Sequence, residues 1–272
     1  MFKGFYTAAS GMYAQQRRTE MLTNNMSNAN TPGYKADQAA MRAFPEMLLQ
    51  RFDKERVPTE NGLTLPFNKE VGRINTGVYL QEAIPKFIQG DLRETGRQSD
   101  VALLDITMPE NGSVFFTVRH PDGGTGYTRN GNLTVDGQGF LTTGSGHYIL
   151  DTAGNRIQLS SDRFTISEGG VLTGEKGERA VLGIGFANNP LRLKKEGDGL
   201  FRTEDNAPLP NAFEAAGVRF RMQQGFLEQS NVDVSKTMTD MMTAYRAFEA
   251  NQKILQAYDR SMDKAANEIG RL

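Results

Sequence analysis

The stretch "NNMSNANTPGYK", Asn24–Lys35, decides how this chain of 272 residues is divided. Ahead of it, Phe5, Ala8, Met12, Gln15, Thr19, Leu22, Met26 and Ala29 stand alternately three and four residues apart, and most of them are apolar. That spacing is a helical seam, and its mean period of about 3.5 suits packing on another helix rather than on a sheet. Within the stretch, Thr31 precedes proline and is biased away from helix, while Pro32 and Gly33 suit the centre of a type II turn. The asparagines, Asn28 and Asn30 among them, tolerate turn geometry. An N-terminal helix therefore ends here and the chain turns away. The helix is weak by itself, because Gly4 and Gly11 lie inside it and a mid-helix glycine costs about 1 kcal/mol against alanine. It needs a partner.

The other end of the chain offers one. Beyond Val234, the residues Met241, Phe248, Leu255, Met262 and Ile269 recur every seventh position, and a second seam reads Met238, Tyr245, Gln252, Asp259 and Ala266. The first seam is apolar throughout and the second is half polar. A helix of this kind fits an assembly that uses more than one of its faces. Docking on its own domain's core is the alternative that the pattern leaves open.

Between the two ends the period changes to that of strands. Short apolar runs such as "SVFFTVRH" (Ser113–His120), "NLTV" (Asn132–Val135) and "HYIL" (His147–Leu150) alternate with "PDGG", "DGQG", "GSG", "DTAGN" and "SEGG", and most of the 29 glycines lie in this stretch from Thr76 to about Phe220. Strands separated by Gly-rich turns predict an all-β body. Between Ala36 and Asn75 the pattern is weaker. Met41, Phe44, Leu48 and Phe52 predict a short helix interrupted at Pro45, and "DKERVPTENGLTLPFNKE" (Asp53–Glu70) reads as an extended loop. The expected organisation is a helix and Asn-rich turn over 1–35, a linker over 36–75, a β-rich body over 76–221 and a second helix over 222–272. The class is a mainly β core with α-helical N- and C-terminal segments that pair as a coiled coil, α+β overall.

Composition narrows the chemistry. Lys+Arg 31 against Asp+Glu 32 gives a net charge of -1, and no run of five like charges marks a nucleic-acid or anionic-membrane surface. The absence of cysteine removes disulfides, thiolate nucleophiles and Cys-ligated metal. The longest apolar run, "VLGIGFA" (Val181–Ala187), is far shorter than the roughly 20 residues of a membrane helix, so no membrane insertion is expected. "MFKGFYTAASGM" lacks the apolar segment of a secretory signal, so any export is expected to use another route.

No catalytic, cofactor or metal site is expected. His120 and His147 have no carboxylate or second histidine at ligand spacing, and Ser10 in "ASGM" lies in helical register without a nucleophile elbow. "GTGYTRNG" lacks the lysine and helix of a phosphate loop, and Asp136 and Asp151 miss the spacing of a calcium loop. The N-x-S/T matches at Asn25, Asn111 and Asn132 are too short a pattern to carry a function. Phe115, Phe116, Tyr127 and Phe140 would line a ligand face if exposed, but strand aromatics more often belong to the core.

Three stretches in order resemble the flagellar basal-body rod and hook axial proteins. "GFYTAASGM" (Gly4–Met12) followed by "NNMSNANTPGYK" resembles that family's N-terminal signature. "QGFLEQSNVDV" (Gln224–Val234), "MTDMMTAYRAFEANQKILQAYD" (Met238–Asp259) and Met262 resemble its C-terminal one. "QGDLRETGRQSDVAL" (Gln89–Leu103), "FFTV", "YTRNGNLTVDGQGFLTTGSGHYIL" (Tyr127–Leu150) and "NNPLRLKKEGDGLF" (Asn188–Phe201) are most similar to the distal-rod type. Tyr245 where the family usually has glutamine, Lys236-Thr237 where acidic residues are common, and the long "LDITMPENGSVFF" depart from the pattern. They leave proximal-rod and hook subunits as alternatives within the family.

The resemblance implies a non-enzymatic structural subunit of the flagellar basal body. It would polymerise helically with itself into a rigid torque-transmitting shaft. Its neighbours would be other rod proteins and the hook or hook-rod junction, and the flagellar type III apparatus would export it without a cleaved signal peptide. The N-terminal assembly seam would comprise Phe5, Ala8, Met12, Leu22 and Met26, and the C-terminal one Met238, Met241, Tyr245, Phe248, Leu255, Met262 and Ile269. Asn28, Asn30, Pro32 and Gly33 would form the turn. From a different class, a secreted β-rich module that binds or cleaves cell-wall glycan is the competing reading, resting on the strand-borne aromatics.

Overall fold

The computed structural model describes residues 3–56 and 64–269. Helix α1 (Lys3–Ser27) opens the described chain, and helix α2 (Val234–Lys264), prolonged by a π-helical turn at Ala265–Ile269, closes it. The chain forms two compact units, one of Met1–Thr23, Ala39–Ala83 and Met238–Leu272, the other of Asn24–Gln38 and Ile84–Thr237. The last turn of α1 and the first residues of α2 thus belong with the β body.

In the first unit, α1 and α2 touch in antiparallel order. Thr23 Oγ1 lies 3.7 Å from Met241 Sδ, and Arg18 Nη2 lies 3.7 Å from Asp240 Oδ1. Farther along, Gly11 faces Asn251, whose Nδ2 would be 3.1 Å from an added Cβ, and Gly4 faces the ring and hydroxyl of Tyr258, leaving no room for one. Gly4 and Gly11 lower the helix propensity of α1, yet both are notches that receive larger side chains of α2. A flank of α1 meets the strands: Thr7 Oγ1 donates to the Thr76 carbonyl (3.2 Å), and the Val78 amide donates to Ser10 Oγ (3.4 Å).

The strands of this unit are β1 (Asp37–Ala43), β2 (Met47–Arg56), β3 (Thr64–Ile74) and β4 (Val78–Pro85), with β1 paired to β4 and β2 to β3. The short helix expected over Met41, Phe44, Leu48 and Phe52 is not what forms: the chain is extended on both sides of Pro45. Proline holds the preceding Phe44 out of the helical region, and the chain beyond it finds an antiparallel partner, Met47 opposite Ile74 and Leu49 opposite Gly72. A partner more than twenty residues downstream is invisible to a local helical period. The loop read at Asp53–Glu70 is in part the two arms of this ribbon, and residues 57–63 lie outside the described residues.

Apart from the helix ends and the 3-10 turns at Pro109–Asn111, Pro190–Arg192 and Gly197–Gly199, the second unit is built of strands. Its first strands are β5 (Leu92–Glu94), β6 (Val101–Thr107), β7 (Ser113–Arg119), β8 (Thr125–Thr128), β9 (Leu133–Val135) and β10 (Leu141–Thr143). There follow β11 (Phe164–Ile166), β12 (Val171–Gly174), β13 (Arg179–Val181) and β14 (Ile184–Ala187). The last are β15 (Leu193–Lys195), β16 (Leu200–Thr203), β17 (Arg219–Gln224) and β18 (Phe226–Glu228). A five-stranded antiparallel sheet in the order β14-β7-β8-β16-β15 is accompanied by β11-β12-β13 and by the pairs β9/β10, β6/β17 and β5/β18.

Strand β7 shows how sequence becomes core. Val114, Phe116 and Val118 enter the larger hydrophobic cluster with Leu103, Leu133, Leu141 and Leu172. Between them, Phe115 points the other way into a smaller cluster with Tyr127, Leu193 and Phe201. Phe87 closes over it, with ring centroids 5.9 Å from Phe115 and 5.3 Å from Phe201. A strand covered on both faces reads as a continuous apolar run, as "SVFFTV" does. Asp136 and Asp151 act inside their own turns, Asp136 Oδ1 accepting from Gln138 N and Phe140 N, Asp151 Oδ1 from Ala153 N and Asn155 N.

Candidate functional site

The Asn-rich stretch is bonded into the β body residue by residue. Asn28 Nδ2 donates back to the Asn24 carbonyl (2.9 Å), closing the end of α1, and Thr31 Oγ1 donates to Asn28 Oδ1 (3.1 Å). The Tyr34 amide returns to the Thr31 carbonyl across Pro32-Gly33, with Gly33 at φ +68, the positive φ that a type II turn requires at this place. Asn25, almost fully buried, grips the chain beyond the turn: its Nδ2 donates to the Asp37 carbonyl (2.8 Å) and its Oδ1 accepts from the Asp37 amide (2.9 Å). The Tyr34 hydroxyl bridges Asn24 Oδ1 (2.8 Å) and Asn25 Oδ1 (3.1 Å).

Below this turn lies a buried group of charges. Glu228, at the end of β18 and 2% exposed, accepts at Oε1 from Lys35 Nζ (2.6 Å) and the Gly90 amide (3.0 Å). Its Oε2 accepts from Arg129 Nε (2.6 Å). Lys35 also donates to the Ile88 carbonyl (2.8 Å). Arg129 spends its remaining donors on the Val114 and Leu103 carbonyls and on Asp105, 3.0 Å away. Two cations and two carboxylates thus balance one another where hydration is lost.

The electrostatics follow from that balance. Burial opposes ionisation of Glu228, but Arg129 and Lys35 outweigh it and hold the carboxyl below its ordinary value. For Lys35 burial wins over the pull of Glu228, and its pKa is lowered. Burial also works against the Arg129 guanidinium, yet Glu228 and Asp105 raise its pKa. Burial, with Asp37 adding to it, raises the Tyr34 phenol.

The turn and the approach to α2 close around this group. The Gly33 amide donates to the Glu228 carbonyl (2.8 Å), and a Cβ on Gly33 would lie 2.5 Å from the Arg129 carbonyl. Asn231 Oδ1 accepts from the Ala36 amide (2.7 Å), and its Nδ2 donates to the Lys86 (2.7 Å) and Ile88 (3.1 Å) carbonyls. Lys195 Nζ donates to the Lys35 carbonyl (3.0 Å) and Asp37 Oδ2 (2.9 Å), 3.9 Å above the Tyr34 ring. Two residues after Asn231, Asp233 starts α2 as an N-cap, its Oδ1 accepting from the Lys236 amide (3.0 Å). This arrangement, here called the joint, lies within the second unit and ties the last turn of α1 and the first residues of α2 to one β body.

Three family models match this chain: the flagella basal body rod protein model over residues 5–35, the flagellar hook protein FlgE/F/G D1 domain over 111–174, and the flagellar basal body rod FlgEFG protein C-terminal model over 223–268. The flagellar hook-basal body complex protein FlhO of Bacillus subtilis (strain 168) is 44% identical over 278 aligned positions, spanning 100% of both chains. The chain belongs to the flagellar rod and hook protein family. The same organism's flagellar hook-basal body complex protein FlhP is 31% identical across 96% of this chain and 97% of its own. The flagellar basal-body rod protein FlgG of Borreliella burgdorferi is 31% identical across 98% of each. This rod and hook family member is thus a flagellar basal-body component of a structural family. Among its described residues no helix is long and apolar enough to cross a membrane.

The residues read as assembly seams fall in different settings. On α1, Ala8 and Leu22 are buried and Phe5, Met12 and Met26 half-buried. On α2, Met241, Phe248 and Leu255 are half-buried, in line with Ala244, Asn251 and Tyr258. Met238 and Tyr245 are 54% and 56% exposed, Met262 is exposed, and the side chain of Ile269 lies outside the described residues. In the turn Gly33 is buried, Asn28 and Pro32 half-buried and Asn30 exposed.

Phe115, Phe116 and Tyr127 are buried on strands, and the Tyr127 hydroxyl accepts from the Leu209 amide (2.7 Å), so these three do not form an exposed aromatic face. Sequence reading missed Asn25, Lys35, Arg129, Glu228 and Asn231. Each lies inside a stretch quoted for other reasons, but nothing local distinguishes a buried charge from a solvated one.

Proposed function

We propose that this chain is a distal-rod type subunit of the flagellar basal body, polymerising helically with itself through α1 and α2 to form a stiff shaft between motor and hook. The observation that carries this reading is the joint around Glu228, which fastens the ends of both helices to the β body by buried hydrogen bonds and ion pairs. A subunit that transmits torque needs such fastening, because load on the helices must enter the body without local yielding. We further propose that α1 and α2 pair as an antiparallel coiled coil in which Gly4 and Gly11 accept Tyr258 and Asn251. The outward apolar residues Tyr6 and Tyr13 on α1 and Met238, Met242 and Tyr245 on α2 are then available to neighbouring copies in a heterologous, non-closing contact. Other rod and hook proteins would continue the shaft above and below. Export through the flagellar type III apparatus, without a cleaved signal, and the absence of catalysis complete the proposal.

Sedimentation of the full-length protein over a range of concentrations tests it. Wild type is expected to associate into filaments as concentration rises, and Met238→Asp/Tyr245→Asp is expected to remain monomeric with the thermal transition of the β body unchanged. Wild type that stays monomeric at every concentration, or a variant that assembles as wild type does, overturns the reading.

A further inference from the structure

Away from the joint, two histidines face one loop. Val118 bridges Ile149, and the Arg119 amide donates to the Tyr148 carbonyl (2.8 Å); His120 follows the first of these segments and His147 precedes the second. Both imidazoles are about nine-tenths buried. His120 Nε2 is 2.6 Å from Glu196 Oε2, and His147 Nε2 is 3.8 Å from Asp198 Oδ2. Glu196 and Asp198 are both on the turn between β15 and β16, where Asp198 takes a left-handed φ of +58.

The neighbours of His120 determine its tautomer. Nδ1 receives the Asp122 amide (3.2 Å) and faces Arg202 Nη2 (2.6 Å), and both of these groups can only donate. Nδ1 is therefore the acceptor, and the ring proton is on Nε2, donated to the Glu196 carboxylate. A second proton on Nδ1 would face two donors, one of them a cation. The acceptor then in reach is Asp122 Oδ2, 3.4 Å away. His147 is in the opposite position: its Nε2 is buried without a hydrogen-bond partner, and a proton there would face Asp198. The remaining charge opposite this group is Lys194, across from Arg202 in the β15/β16 pairing.

We propose that His120 and His147 form an acid-responsive clasp, which on protonation tightens on the loop Glu196–Gly199 through two imidazolium-carboxylate pairs and releases the Asp122 amide, while Arg202 stays paired with Asp122 and Glu196. The signature is a pair of opposite local changes at one end of the sheet. Uniform acid loosening would not produce it.

Imidazole nitrogen NMR and amide exchange on the full chain, followed from about pH 8 to about pH 5.5, test this. At the higher pH, His120 is expected as the neutral Nε2–H tautomer. On acidification, and after correction for intrinsic rates, the Asp122 amide is expected to exchange at least about threefold faster and the amides of Asp198 and Gly199 at least about threefold slower. His120→Gln, which cannot gain a proton, should abolish the Asp122 response, and His147→Gln the slowing at Asp198. If His120→Gln does not fold, the wild-type imidazole nitrogen spectrum replaces it: the Asp122 amide should speed up over the same pH range in which Nδ1 gains its proton. An Nδ1–H tautomer at the higher pH, changes of the same sign at both places, or responses that survive the substitutions or do not follow the Nδ1 proton overturn the proposal.

Discussion

Replacing Glu228 by glutamine tests the joint most directly. The carboxylate receives Lys35 Nζ at 2.6 Å, Arg129 Nε at 2.6 Å and the Gly90 amide at 3.0 Å. Glutamine has the same shape but only one accepting oxygen, so its amide hydrogens must face either Lys35 or Arg129, donor against donor. Two buried cations are then left with Asp105, which is ion-paired with Arg129 and acts only weakly on Lys35. Breaking a buried ion pair from one side costs about 3–5 kcal/mol. For a chain of this size each kcal/mol lowers the melting temperature by about 2–4 °C, so Glu228→Gln should melt about 6–20 °C lower.

Lys35→Met should cost less, because Glu228 keeps Arg129 and the Gly90 amide and the methionine replaces the buried stem. In the double variant Lys35→Met/Glu228→Gln one stranded cation is gone, so its loss should be smaller than the sum of the single losses. Calorimetry and urea denaturation followed by far-ultraviolet circular dichroism measure all three. A Glu228→Gln loss below about 1 kcal/mol, or a Lys35→Met loss that exceeds it, would refute the reasoning.

Two further outcomes follow from the same joint. Arg129 and Lys35 hold the folded Glu228 carboxyl below the ordinary glutamate value of about 4.3, so between these two values the unfolded chain binds more protons and stability rises with pH. Stability from this group is complete above about pH 5 and is lost as pH falls through the folded value, and the acid limb of a melting-temperature profile should be shallower in Glu228→Gln than in wild type. Gly33→Ala places a Cβ 2.5 Å from the Arg129 carbonyl at a φ of +68, where an L-residue already loses about 1–2 kcal/mol; a melting temperature lower by at least about 4 °C is expected, and an unchanged one would show that the turn is not held against Arg129.

The comparison of sequence with structure turns on how far apart the deciding residues lie. Both helices, their order around a β body, the Pro32-Gly33 turn and the burial of Phe115 and Phe116 were legible because each is written in a local period or a local backbone preference. The helical seams were legible only in part. Met241, Phe248 and Leu255 are on the half-buried line of α2, but the residues beside them there are Ala244, Asn251 and Tyr258, whereas Met238 and Tyr245 face outward. Apolar character points to the larger side chains, but glycine notches on α1 make room for polar ones. At Met47–Arg56 a helical spacing yields to a strand partner at Thr64–Ile74, since propensity over a few residues is weaker than a full ladder of backbone hydrogen bonds.

Sequence by itself therefore determined the two terminal helices, the β character of the body between them and the point at which the first helix gives way to it, all properties of neighbouring residues. Tertiary structure alone decided that Lys35, Arg129 and Glu228 are buried together. They come from three separate parts of the chain, and a charge is buried only where folding brings its counter-charge within hydrogen-bond reach, a condition with no trace in the residues adjoining any one of them. That burial turns "NNMSNANTPGYK" from a helix stop into one wall of the joint.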